Sequence, residues 1–206
     1  GAQGEYAGLM VIRAYHESNG DANRDIALIP SSAHGTNPAS VIMCGYSVKQ
    51  VKSDDRGRVD IAHLQELVDD DVAGLMLTQP NTVGLFEDNI DKISEMIHAV
   101  DGLMYMDGAN LNAIVGIAQP ALMGFDIMHI NLHKTFSTPH GGGGPGSGPV
   151  AVNSKLVNYL PGPIIIYDAK KDRYEIKRDG SDCIGKVHTF LGNFGILVRA
   201  YTYMLS

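Results

Sequence analysis

Lys134 lies in a short run of residues whose types could do covalent chemistry. It belongs to the stretch 131–136 (NLHKTF), in which the apolar residues Leu132 and Phe136 flank it closely. A lysine amine becomes a nucleophile when its surroundings favour the neutral form or an imine. The pattern therefore indicates a lysine that can form a Schiff base with a carbonyl group.

A glycine-rich stretch, 141–146 (GGGGPG), follows Lys134 along the chain. A nucleotide-binding Walker motif has its lysine after the glycines, and Ser147 has no lysine beside it, so this order disfavours a nucleotide site. Glycines bounded by Pro139 and Pro145 allow the backbone to pass close to a ligand or a neighbouring subunit. A flexible linker is the alternative interpretation.

Asp107 ends the apolar run 102–106, where an emerging carboxylate must meet solvent, a cation or a ligand. A carboxylate beside a pyridine nitrogen keeps that nitrogen protonated and makes the ring an electron acceptor. Ala109 is small enough to lie against such a ring, and Asn110 could hydrogen-bond its hydroxyl group. With Lys134, these residues predict a site for pyridoxal phosphate (PLP); a helix N-cap is the alternative role for Asp107.

Several histidines are candidates for binding roles. His34 lies in 31–38 (SSAHGTNP), where the Gly and the Asn-Pro step favour a loop or turn, and its imidazole could stack on a ring or be structural. A zinc site at His129, His133 and His140 fits by residue type. The predicted strand and loop do not give helical ligand spacing, and no cysteine is near, so no metal is predicted.

The start of the chain resembles an anion site. Residues 1–4 (GAQG) lead into a predicted helix at Glu5, and a helix N-terminus with small residues exposes N–H groups to a phosphate. A cloning or truncation scar is the alternative for Gly1. The chain begins without Met and stops within the helical pattern 194–205, so we expect a fragment of a longer protein.

Short apolar runs alternate with helical patterns. The runs lie at 25–29, 46–51, 74–78, 102–106 and 126–130, and the helical patterns lie at 5–19, 61–68 and 90–100. This alternation predicts an α/β fold with a mostly parallel sheet covered on both faces. Because such sheets bind ligands at the carboxyl ends of strands, His34, Thr78, Asp107 and Lys134 are expected to converge.

Composition excludes several classes of function. The 206 residues carry a formal charge of −7, which disfavours nucleic-acid binding, and no apolar run approaches the ~18 residues of a membrane span. Two cysteines, Cys44 and Cys183, match a reducing compartment and offer no disulfide framework. A soluble globular protein with neither nucleic acid nor membrane as partner is expected.

Four stretches together resemble the PLP-binding half of the P-protein family of the glycine cleavage system. They are 1–8 (GAQGEYAG), 31–40 (SSAHGTNPAS), 106–110 (MDGAN) and 131–136 (NLHKTF) with its glycine loop. The resemblance implies the large domain of a fold-type I PLP-dependent enzyme, with a mostly parallel sheet and helices on both faces. It implies a PLP domain at 1–160, then a predicted hairpin and the start of a connection to a missing small domain at 161–206.

The resemblance also implies roles for individual residues. Lys134 would bind PLP covalently, Asp107 would pair with the pyridine nitrogen, and His34 would stack on the ring. The further cofactor-binding residues are Ala2, Gln3 and His133 near the phosphate, Ala109 and Asn110 near the ring, and Thr78, with Asn81, near the ring or substrate.

The activity implied is that of a glycine dehydrogenase (decarboxylating), an oxidoreductase. Glycine would lose CO₂ and its aminomethyl group would pass to the lipoyl arm of H-protein. The implied partners are glycine, lipoylated H-protein, and a second copy of the chain or a partner P-protein subunit. The expected location is the cytoplasm in a prokaryote and the mitochondrion in a eukaryote. The chain departs from the family in lacking an N-terminal half and a C-terminal domain.

Two alternatives stay open. One keeps the fold and cofactor but changes the reaction to that of a cysteine desulfurase or an amino-acid decarboxylase. A desulfurase needs a nucleophilic cysteine on a mobile loop, for which Cys183 in 181–185 is the candidate, since Cys44 follows an apolar run and is expected to be buried. The other is an inert truncated domain. Arg199 is a candidate for the substrate carboxylate, although an arginine on a helix is more often a surface group.

Overall fold

The computed structural model of the protein describes residues 1–177, 180, 182–190 and 192–206. Its main sheet contains β1 (Ile26–Pro30), β2 (Ser47–Val51), β3 (Val72–Thr78), β4 (Leu103–Gly108), β5 (Ile127–Ile130) and β6 (Val150–Val152). The spatial order is β2-β1-β3-β4-β5-β6. The first five strands pair in parallel and β6 pairs antiparallel with β5 at one edge. The predicted mostly parallel sheet is confirmed.

Helices cover both faces of this sheet. They are α1 (Ala2–Ser18), α2 (Thr36–Met43), α3 (Ile61–Leu67), α4 (Ile90–His98), the short α5 (Leu132–Thr135) and α6 (Phe194–Leu205). On β3, Leu75 and Leu77 pack with α3 and α4, whereas Ala73 and Met76 pack with α1 and α2. Each fully buried large side chain contributes about 1.5–3 kcal/mol, so both apolar layers hold the helices on the sheet.

Helix α2 was not expected from the sequence. The predicted loop at 31–38 gives way to a helix at Thr36, so that Pro38 is the third residue of the helix. Proline is tolerated there because the first N–H groups of a helix have no partner within it. The helix then buries Val41 against the sheet.

Strand register places three polar residues side by side. Thr78 pairs with Asp107, and Asp107 pairs with His129, so the three lie on neighbouring strands β3, β4 and β5. Asp107 is therefore part of β4 and not the first residue of a helix. A row of buried polar groups at the carboxyl edge of a parallel sheet is typical of a ligand site.

The predicted hairpin is confirmed. β7 (Ile164–Asp168) and β8 (Arg173–Lys177) pair antiparallel as a separate two-stranded sheet. Four positions of the predicted segment 161–206, namely Arg178, Asp179, Ser181 and Leu191, lie outside the described residues. The boundary between 160 and 161 stays a prediction. Within the described residues, the helices are all too short or too polar to cross a membrane.

Candidate active site

A cavity of about 440 Å³ opens at the carboxyl ends of the parallel strands. Of the nine residues predicted to bind the cofactor or act in catalysis, eight line it: Ala2, His34, Thr78, Asp107, Ala109, Asn110, His133 and Lys134. These residues extend from Ala2 to Lys134 along the chain. They meet because four strand ends and the start of α1 lie at the same edge of the sheet. The size is within the range of small-molecule sites, roughly 300–1,000 Å³.

Three candidates do not line the cavity. Gln3 is exposed on α1, where it is turned by about 100° from Ala2 around the helix axis. Asn81 is buried in the loop after β3, and its amide group holds that loop through Gly57 and Leu85. Arg199 is exposed on α6.

Asp107 and His129 form a buried pair at the floor of the cavity. Oδ1 of Asp107 lies 3.2 Å from Nε2 of His129 and accepts the N–H of Ala109 at 2.9 Å. Burial opposes ionisation of Asp107 and would raise its pKa. The hydrogen bond and charge of His129, together with the N–H of Ala109, outweigh the effect of burial. The pKa of Asp107 therefore lies below its ordinary value. The floor of the cavity therefore presents a carboxylate.

His129 is held on both sides. Its Nδ1 lies 2.9 Å from the phenol oxygen of Tyr105, and Nε2 faces Asp107. Glu5 completes a group whose side-chain ligand atoms all lie within 4.8 Å of one another, which is a spacing that could hold a metal ion. Both nitrogens of His129 are already engaged, so hydrogen bonding accounts for the group.

The histidines weighed as zinc ligands are divided between two places. His133 and His140 meet edge to face, with ring centroids 4.6 Å apart, while His129 belongs to the floor of the cavity. Among the described residues, these three do not form a ligand group. Burial lowers the pKa of His133, and the nearby charge of Lys134 lowers it further.

Lys134 lines the cavity and lies four residues after the end of β5. β5 ends at Ile130, and Asn131 is the N-cap of α5, in which Lys134 is the third residue. The side chain is exposed, and within the described part of the chain no hydrogen bond or ion pair engages its Nζ. Its amine is therefore available to a ligand.

His34 lines the cavity from the loop just before α2. Its Nδ1 lies 2.9 Å from the hydroxyl oxygen of Thr36 and accepts the N–H of Thr36 at 3.2 Å. These bonds fix the imidazole at the exposed mouth of the cavity. A flat aromatic surface in this position suits stacking on a ring.

The start of α1 closes one end of the cavity. Gly4 packs so closely on Gly148 that a Cβ added at Gly4 would lie 2.2 Å from the carbonyl oxygen of Gly148. Gly1 approaches Asn131 in the same way. Ala2, the first residue of this 17-residue helix, lines the cavity, and the first N–H groups of a helix have no partner within it and attract anions.

Sequence reasoning assigned no cofactor-binding role to several lining residues, among them Glu5, Asn131 and His129. Glu5 resembles an ordinary acid in the first turn of a helix, which gives no sign of a buried role. Asn131 appears only as the first residue of the run 131–136, three positions before Lys134. His129 did give a signal, because a polar residue within the apolar run Ile127–Ile130 needs a partner when buried.

Comparison with known proteins agrees with this geometry. The family model for glycine cleavage system P-protein matches residues 37–176. A probable glycine dehydrogenase (decarboxylating) subunit 2 from Halalkalibacterium halodurans is 56% identical over 204 residues, covering 99% of this chain and 41% of that protein. The chain thus spans about two fifths of the length of that relative.

Solved structures show the same fold. A crystal structure of glycine decarboxylase (P-protein) of the glycine cleavage system, in inhibitor-bound form, matches with a TM-score of 0.73 and 19% identity, covering 100% of this chain and 46% of that chain. The cysteine desulfurase CsdA from Escherichia coli matches with a TM-score of 0.65 and 17% identity, covering 98% and 50%. The fold is that of the large domain of fold-type I PLP-dependent enzymes. The family match and the identity to subunit 2 lead to one conclusion: this chain belongs to the glycine cleavage system P-protein family.

Proposed function

We propose that the full-length protein decarboxylates glycine with PLP bound covalently at Lys134, and passes the aminomethyl group to the lipoyl arm of an H-protein. One sulfur of the lipoyl disulfide receives that group and the other becomes a thiol. The observation that carries the proposal is the cavity that joins the amine of Lys134 to the carboxylate of Asp107, in a chain of the P-protein family.

The residues present fit PLP. Besides Glu5 at the floor, three lining residues have a buried polar atom without a hydrogen-bond partner among the described residues: Oγ1 of Thr78, Oδ1 of Asn131 and Nδ1 of His133. Unpaired buried polar atoms are costly, so a polar ligand in the cavity would relieve that cost. The start of α1 offers N–H groups for a phosphate at the same cavity.

Each side chain has a separate task in this proposal. PLP, when bound, supplies an electron-withdrawing ring. Asp107 holds a proton on the pyridine nitrogen, His34 stacks on the ring, and Ala2 with His133 binds at the phosphate end. Nζ of Lys134 would hold the cofactor through its aldehyde, and the same amine would be placed to move a proton to or from the substrate carbon.

Replacement of Lys134 tests the cofactor site. In Lys134→Ala we expect loss of the visible absorbance of lysine-bound PLP and of borohydride-trapped label, while the circular dichroism spectrum is unchanged. Lys92→Ala, which removes an exposed lysine from α4, is the matched control and should retain both signals. Undiminished covalent PLP in Lys134→Ala would reject the assignment.

The reaction itself is tested by its products. Exchange of the glycine carboxyl carbon with labelled bicarbonate, stimulated by lipoylated H-protein, is expected of the full-length protein, whereas sulfide release from cysteine would identify a desulfurase. Cys183 does not line the cavity, and its Sγ lies 2.9 Å from the carbonyl oxygen of Leu160. Cys44 is only 3% exposed. Neither thiol is placed as a desulfurase nucleophile.

The remaining proposals concern the rest of the protein. The residues from 161 onward are proposed to connect the PLP domain to a small domain. A partner P-protein subunit or a second copy is proposed because the relative is named as subunit 2. A reducing cytoplasm is proposed because both cysteines are free and the quoted relative is bacterial. Size measurement of the full-length protein, alone and with H-protein, tests the assembly.

A further inference from the structure

Two buried carboxyl groups share the floor of the cavity. Glu5 on α1 and Asp107 on β4 are each 3% exposed, and His129 on β5 is 1% exposed between them. Their ligand atoms lie within 4.8 Å of one another. Two carboxylates at this separation repel each other in a poorly solvated place, so one of them is expected to retain a proton.

In the part of the chain that the structure describes, the N–H groups at the floor of the cavity donate hydrogen bonds to Asp107 and not to Glu5. Its Oδ1 accepts the backbone N–H of Ala109 at 2.9 Å and lies 3.2 Å from Nε2 of His129. N–H donors favour an ionised carboxylate because they stabilise its charge. The pKa of Asp107 lies below its ordinary value for this reason, despite burial.

Glu5 has weaker partners. Its Oε2 accepts the hydroxyl of Thr36 at 3.5 Å, the hydroxyl of Ser40 also interacts with the carboxyl group, and Oε1 has no geometric hydrogen-bond partner among the described residues. A hydroxyl can accept as well as donate, so it serves a protonated carboxyl group equally well. Burial raises the pKa of Glu5, and the charge of Asp107 adds to this although Ser40 and His129 oppose it.

Other titratable groups face Glu5 as well. They are the phenol of Tyr105 on β4, the thiol of Cys44 after α2 and the amino group of Gly1. Burial raises the pKa of the Cys44 thiol to about 12 and raises that of Tyr105 well above its ordinary value, so both groups stay neutral at physiological pH. Neither of these two groups therefore adds a charge beside Glu5.

We propose that Glu5 is a positioning residue that carries the proton of this carboxyl pair, and thereby leaves Asp107 ionised toward the cavity. The inference rests on the proposed function, in which Asp107 meets the pyridine nitrogen of PLP. Glu5 touches neither substrate nor reacting atoms in this role. It sets the charge of the residue that does.

Infrared spectroscopy of the full-length protein without cofactor tests where the proton resides. At neutral pH we expect the carbonyl stretch of a buried carboxylic acid in the wild type, its loss in Glu5→Gln, and its retention in Asp107→Asn. Glu17→Gln, the same substitution at an exposed position of α1, should retain the band. A band that survives in Glu5→Gln, or that is lost from both site variants, would overturn the proposal.

Cofactor loading separates this inference from the proposed function. Wild-type protein that traps no PLP would remove the proposed function, whatever the infrared result. Wild-type protein that traps PLP but shows no acid band sensitive to Glu5 would remove the inference alone.

Discussion

Asp107 is a residue at which burial and hydrogen bonding act in opposite directions. His129 and the N–H of Ala109 stabilise the charge of its carboxylate against burial, and an asparagine in its place would carry no charge. In Asp107→Asn we expect glycine carboxyl exchange by the full-length protein to fall roughly a hundredfold, because the developing charge loses its electrostatic partner.

The control for Asp107→Asn is Asp91→Asn, which removes an exposed carboxylate from the first turn of α4. It should exchange glycine carboxyl carbon at the wild-type rate. Equal rates for wild type and Asp107→Asn would show that protonation of the pyridine nitrogen of PLP does not depend on this carboxylate.

Glu5 should make stability depend on pH. Its pKa is raised by folding above the ordinary value of 4.5, so the unfolded chain releases this proton first and folding becomes less favourable as pH rises from 4.5 through the folded pKa. Glu5→Gln has no titrating group at this position, so its stability does not fall with pH for this reason. The free energy of unfolding of the variant relative to wild type, measured with urea, should therefore be higher at pH 8 than at pH 4.5. A relative stability that falls with pH would contradict the assignment.

The sequence could predict residues that stand out by type and position. Lys134 and Asp107 do so because a charge next to an apolar strand needs a partner. Glu5 could not be found in this way, since a first-turn acid is common on any helix. Its burial depends on the packing of α1 against β4 and β5, which one-dimensional patterns do not encode.

At the scale of elements, Gly108 fixes the contact between β4 and β5. A Cβ there would lie 2.1 Å from the carbonyl oxygen of His129, so the two strands would have to separate. Gly108→Ala should lower the free energy of unfolding by about 1–3 kcal/mol, measured by urea denaturation. It should also weaken PLP loading, because the bond between Asp107 and His129 spans the same two strands.

Gly195→Ala provides the comparison for Gly108→Ala. Gly195 is in α6 with nothing within 4 Å of an added Cβ. This change should leave stability unaltered or raise it by about 0.5–1 kcal/mol, since alanine favours helix. Similar losses from both substitutions would indicate a general intolerance of alanine and not a close approach of two strands.

Strands and helices could be predicted where the spacing of apolar residues alone determines them. The predicted run 102–106 corresponds to β4, but the strand continues through Asp107 and Gly108 because β5 pairs with them. Helix α2 was missed because it has only eight residues and begins with Asn37 and Pro38 in its first turn. Short helices depend on tertiary packing for their stability, so their sequences carry a weak signal.

At the scale of the whole molecule, the hairpin of β7 and β8 carries exposed apolar side chains that are expected to contribute little to the free energy of unfolding. Ile165 and Ile176 face each other across β7 and β8 and are 60% and 65% exposed. Replacing both with Thr should change the free energy of unfolding by less than about 0.5 kcal/mol. Leu75→Ala, at a 0% exposed core position, should cost about 2–5 kcal/mol in the same denaturation experiment. A comparable loss from the hairpin variant would show that these isoleucines pack on the body of the protein.

The contact of Gly4 with Gly148 also sets an order of events during synthesis. α1 leaves the ribosome long before Gly148, yet the end of the cavity closes only when these two glycines meet. Joining such distant segments requires closure of a long loop, which comes late in folding. A growing chain is therefore expected to acquire PLP only after its edge strand β6 has emerged, so that the cofactor binds a nearly finished domain and does not seed its formation.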